Sequence, residues 1–180
     1  MTLLRIPSPL HDVFGARQRQ LAIALVVLAA FGVPLALAVT EPHLLAVVAP
    51  WRVVFAALLV ADVAAGAVAN LTAGTNDHYA ERPASRWVFI AVHLHLPAVA
   101  VLLDLPIVVA LVVWAGTIAG AVTVNLLRGH PEQQVVAGTI FVAIATAAVL
   151  LTDARALTLV GILFAFKVVY AFAVDHEGSQ

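Results

Sequence analysis

Long apolar runs separated by short polar links set the pattern of this chain. Six runs, roughly 20–39, 51–71, 87–103, 106–127, 135–152 and 156–174, approach the about 20 mostly apolar residues of a membrane-crossing helix. Each is continuous rather than alternating, which excludes a barrel wall. An unclosed strand would leave backbone groups unpaired in lipid, so helix is the state predicted. The second run begins nearer Leu44 if Pro50 marks a kink or an interfacial piece. Three links, Asp104–Pro106, 129–133 and Thr152–Arg155, are short enough to make their flanking helices antiparallel neighbours. The pattern therefore predicts an all-α, polytopic integral membrane protein. One six-helix bundle covers 20–174, after a lead-in of 1–19 and before a short tail of 175–180.

Composition sharpens this. Of 180 residues, 63% are apolar and 11% charged, against about 25% charged in soluble domains. Too few polar side chains exist to cover a soluble surface. The net charge of -1 and the absence of a basic run argue against a nucleic-acid partner. With no cysteine, disulfides, thiolate metal sites, iron–sulfur clusters and a cysteine nucleophile are excluded.

Arg5, Arg17 and Arg19 before an apolar run resemble a secretory signal, but 21–39 exceeds the usual hydrophobic region of about 7–15 residues. It reads as the first transmembrane helix. With six spans, Arg5, Arg17, Arg19, Arg82, Arg86 and Arg128 share one side, against Arg52 and Arg155 on the other. The positive-inside rule then places both termini in the cytoplasm of a multi-pass cell-membrane protein. Trp51 and Trp87 fall at the expected interfaces.

Small residues suggest helix contacts. Ala57, Ala61, Ala65 and Ala69 recur every four residues beside Gly66, and Gly116 and Gly120 lead to Thr123. Such faces let helix backbones approach closely. Packing within one chain is the favoured use, with a homo-oligomer as the alternative. The polar features of the second and third runs have no later copy, as an inverted-repeat transporter would require.

Ionisable groups inside the spans are the informative ones, because each costs at least ~2.5–3.5 kcal/mol at mid-bilayer. Asp62, His93, His95 and Lys167 qualify. Counted from the cytoplasmic ends of their runs, they lie roughly 14, 9, 12 and 10 Å deep. They share one level. On a regular helix His93 and His95 point about 200° apart, which selects His93 as the site residue and leaves His95 to another neighbour or a supporting role. Asp62 should sit at a helix contact rather than in lipid. Asp62 and His93 form the candidate acid–base pair, with His95 and Lys167 as relay or counter-ion. The competing structural reading is a hydrogen-bonded or Asp62–Lys167 pair that fixes helix register, with Lys167 otherwise snorkelling to the headgroups.

The link after the second run adds Asn70, Asn76, Asp77, His78, Arg82 and Arg86, with Asn125 near the same face. These are candidate substrate-binding residues, the arginines suited to a phosphate; the plain reading is a solvated loop with capping residues. Gly74 suits a tight turn. Asn70-Leu-Thr72 is formally a glycosylation sequon, silent on a cytoplasmic face. Glu41, His43, Asp104, Asp153 and Arg155 read as solvated outer-face residues. A metal site from Asp62, His78 and His93 would need three segments to converge, and no HExxH is present. Neither metal, haem nor any other cofactor is expected, and no G-x-S-x-G elbow supports serine hydrolysis.

Three functions remain. A membrane-embedded enzyme or lipid-binding protein would take an amphiphilic small molecule, its partner besides membrane lipid, with the polar head near the cytoplasmic face. A small transporter or channel would use Asp62, His93 and Lys167 as a polar path. A structural subunit would have no chemistry of its own. The first is favoured, because polar residues cluster toward one face while the outer halves of the runs are almost wholly apolar.

Overall fold

The computed structural model describes residues 3–176, apart from the side chain of Leu45. Six helical spans are long and apolar enough to cross a membrane: Gln20–Thr40, Pro50–Ala69, Pro83–Leu102, Ile107–Leu126, Gln133–Leu150 and Arg155–Phe172. The bundle is all-α, as the apolar runs require. A small departure lies in the lead-in, where β1 (Leu3–Arg5) pairs antiparallel with β2 (Arg17–Arg19) around a short helix α1 (His11–Phe14).

The spans are α2 (Gln20–Thr40), α4 (Pro50–Ala69), the pair α6 (Pro83–Val92) and α7 (His95–Leu102), α8 (Ile107–Leu126), α9 (Gln133–Leu150), and α10 (Arg155–Ala165) continued by a π-helix (Phe166–Phe172). The last span is the central post. Leu157, Val160, Gly161 and Phe164 are buried along it, and Val168 and Val169 continue that core into the π-helix. α4, α7, α8 and α9 pack against it, while α2 lies outside, against α4. Val26 is the buried residue of α2, Val33 and Leu37 pack against the core, and Leu28, Phe31 and Leu35 are exposed.

Proline sets several boundaries. Pro42, Pro50 and Pro83 each stand in the first turn of a helix, where the missing N–H is no loss and φ is already helical. The piece before Pro50 is thus a separate short helix, α3 (Pro42–Val47). The third span starts at Pro83, four residues before the apolar run suggests, and the polar link itself folds as α5 (Ala73–Ala80).

Glycine brings two segments together at this end of the bundle. Gly15 has φ +68, and a Cβ there or at Gly74 would overlap backbone of the other segment. Gly74 therefore serves close approach rather than a turn. Thr75 Oγ1 donates to Val13 O at 2.7 Å and Gln18 Nε2 to Thr72 Oγ1 at 2.7 Å. The lead-in is an ordered cap. Among the long apolar helices, a Cβ on Gly120 would press into Ile140, and one on Gly116 would touch Ile144. This glycine face is used by α9 of the same chain.

Candidate functional site

The site begins with Pro97. A proline has no N–H for the carbonyl four residues earlier and its ring clashes with that carbonyl, which here belongs to His93. The helix accordingly stops at Val92. His93 adopts φ -79 and ψ 78, and Leu94 N bonds Val92 O at 2.9 Å, an inverse γ-turn. The released His93 carbonyl accepts from Trp114 Nε1 at 2.8 Å. Helix resumes at His95.

This break changes the directions that a regular helix imposes. The two imidazoles lie 5.0 Å apart, centroid to centroid. His95 Nε2 is 2.9 Å from Asp62 Oδ2. The expectation that His93 alone faces the site is corrected: both histidines meet Asp62, and His95 makes the direct bond. Asp62, His93 and His95 each offer a ligand atom, all within 4.8 Å of one another. The trio Asp62, His78 and His93, disfavoured from the sequence, does not assemble: the break brings a second histidine from the same span instead, and His78 bonds Asp12 and Arg82.

Lys167 arrives from the opposite side. The π-helix turns it toward α4, where Gly66 leaves the space that its methylenes fill. Its Nζ donates to Asp62 Oδ2 at 2.5 Å and to Asp62 O at 3.3 Å, and lies 5.8 Å from the Phe89 ring centre. Asn70, on the same face of α4, donates to Lys167 O at 3.4 Å. Asp62, Gly66 and Asn70 recur every four residues, so one stripe of α4 receives the whole lysine. Lys167 does not snorkel.

Exposure divides this cluster. The Lys167 side chain is 3% exposed, that of Asp62 48%. Asp62 does sit at a contact between helices, bonded to Lys167 and His95 of two other spans, but its side chain is half exposed. It continues the exposed stripe Trp51, Phe55 and Leu58 of α4, and opens sideways out of the bundle. Behind it, His93 is buried. His93 Nδ1 donates to Phe89 O at 2.5 Å, which leaves Nε2 as an acceptor. His93 Nε2 and His95 Nδ1 are both buried without a hydrogen-bond partner. Phe89 lies against His93 with ring centroids 3.8 Å apart and planes tilted by 33°, and stacks on Phe172 at 3.6 Å. Tyr79 closes the aromatic wall at 4.9 Å from Phe172. Burial, then the charges of Asp12 and Asp62, push its phenol up to about 12, so it keeps its proton at neutral pH.

The other candidates go elsewhere. His78 accepts from Arg82 Nη1 at 2.9 Å through Nδ1 and donates to Asp12 Oδ1 at 3.1 Å through Nε2. That surface chain ties α5 to the lead-in. Asp77 lines a cleft beside it with Arg17 and Gly74. Arg86 does not face a phosphate: it is 2% exposed, donates from Nε to Asn125 Oδ1 at 2.8 Å, and caps the last span through Phe172 O and Ala173 O at 3.1 and 2.9 Å. Asn125 is thereby committed. Asn76 donates to Asp175 at 3.3 Å.

Gln133, Asp175 and Arg128 complete this second network. Burial pushes the Asp175 carboxyl up, but bonds from Asn76 and Arg128 outweigh it and hold the group below the usual carboxylate range. Spacing did not mark these residues, because they stand where apolar runs end and solvation suffices to explain them. Arg52 and Asp104, at the far end, bind at 2.6 Å and pull the Asp104 carboxyl down.

No family model, curated protein or solved structure matches this chain.

Proposed function

We propose that this protein is a membrane-embedded enzyme or binding protein whose site takes the polar head of an amphiphile entering sideways from the bilayer. One observation carries the reading: a half-exposed carboxylate, at the depth of apolar spans, stands before two buried imidazole nitrogens without partners. A pair that merely fixed helix register would be expected to close over its charge and satisfy its neighbours. Here the lysine is closed in and the acid is open.

The roles follow from the bonds. Asp62 is already held by Lys167 and His95, so it orients the site instead of serving as a free base. His93 Nε2 is the electron-pair donor, directed at a proton of the headgroup or at a Lewis acid. Tyr79, Phe89 and Phe172 form an apolar wall behind it. The arginine distribution turns this end of the bundle to the cytoplasm.

Transport is less well supported. The side chains buried toward the Arg52–Asp104 end, among them Ala56, Val99, Ala100, Ala110 and Leu157, are apolar, and the hydroxyl of Thr117 at the middle of α8 bonds Val113 O at 2.8 Å.

The test is mass spectrometry of amphiphiles extracted from the protein purified in native-membrane nanodiscs. Wild type should hold a defined species above its share of bulk lipid, and Asp62→Asn and His93→Gln should lose it while still eluting as folded protein. A wild-type profile equal to bulk lipid would defeat the reading.

A further inference from the structure

We propose that His93, His95 and Asp62 form a binding site for a divalent first-row metal ion of the zinc class, with His93 bonding through Nε2. The inference rests on the reading of this cluster as a working site and names what fills its open positions.

The donor set is the first argument. Two neutral imidazoles and one carboxylate suit zinc and its neighbours, whereas calcium or magnesium would call for oxygen throughout. Three protein ligands with a fourth side open match the arrangement of reactive rather than purely structural zinc. Asp62, half exposed toward the bilayer, marks where that fourth side lies.

The second argument is orientation. A ligating histidine commonly donates its other N–H to a backbone carbonyl or a carboxylate, which fixes tautomer and ring. His93 does this already through Nδ1 to Phe89 O, and His95 presents its Nε2 beside the second ligand, 2.9 Å from Asp62 Oδ2. His93 is 5% exposed, and its Nε2 has no partner. Such a buried nitrogen costs stability unless something fills it. With a metal present, His93 is a ligand rather than a base, and the metal's open side meets the headgroup.

Lys167 is the built-in competitor. Its ammonium touches the same carboxylate, so it neutralises Asp62 when the ion is absent and weakens the ion's hold when present. A chance surface site would have no such dependence.

Chelator-washed, tag-free protein in nanodiscs is titrated with Co²⁺ followed by visible absorption, then with Zn²⁺ in competition. One equivalent per chain should bind at micromolar concentration. His93→Gln and His95→Gln should each weaken binding by at least about tenfold. Lys167→Met should tighten it severalfold, and His78→Gln should change nothing. The site is refuted if wild type takes up no Co²⁺, if it binds equally well in the folded histidine variants, or if Lys167→Met alone binds. Amphiphile retention without metal uptake would remove this inference and leave the proposed function standing; the reverse result would do the opposite.

Discussion

At Asp62 the two members of one ion pair have unequal surroundings. Lys167 has 3% of its side chain exposed and Asp62 48%. Removing the acid strands a charge in the interior, a change that costs about 3–5 kcal/mol when a buried pair is broken. Removing the lysine leaves a carboxylate at an open surface, where water or headgroup donors still reach it. Asp62→Asn should therefore melt well below Lys167→Met in detergent, and the double variant should recover part of the loss. Equal melting temperatures for the single variants would show that the difference in exposure has no energetic meaning. Sequence identified the members of this cluster, since costly residues at one depth stand out in apolar runs. It misdirected His95, because two residues along a regular helix point apart.

Pro97 decides that direction at the scale of the element. Without it, an unbroken third span would carry His95 away from His93 and restore a backbone bond at the His93 carbonyl. Pro97→Ala should leave the fold intact or stabilise it, yet detach His95 from Asp62. The change is readable as a shift of the His95 ¹⁵N resonances toward those of an unbonded imidazole; unchanged resonances would mean that packing, rather than proline, holds the break. The proline was plain in the sequence, but its effect depends on what receives the freed carbonyl. Trp114, from another span, does so at 2.8 Å. The π-helix is comparable: nothing in the run 156–174 marks it, and it fixes where Lys167 points.

Across the whole molecule, the end of the last span is tied to three other helices and the polar segment by Arg86, Gln133, Asn76 and Arg128. Asp175 makes this linkage sensitive to acid. Its folded pKa is depressed below the unfolded value, so its contribution is complete above the unfolded value of about 3.9 and is lost as pH falls through the folded one. Wild type should lose melting temperature between neutral pH and about pH 3 more steeply than Asp175→Asn, and start higher. Parallel curves would place acid sensitivity elsewhere.

The sequence alone determined the six apolar helical spans, their short links and the set of costly polar residues, because hydrophobic length and desolvation act on residue type irrespective of partner. It left the side open on which each polar residue lies. Tertiary structure decided that Arg86 caps the last helix instead of facing a phosphate, that Lys167 reaches inward past Gly66, and that both histidines converge on an acid half exposed at the bundle surface. Those outcomes depend on which carbonyls are freed and which neighbouring helix satisfies them, and such pairings between distant segments exist once the helices are packed.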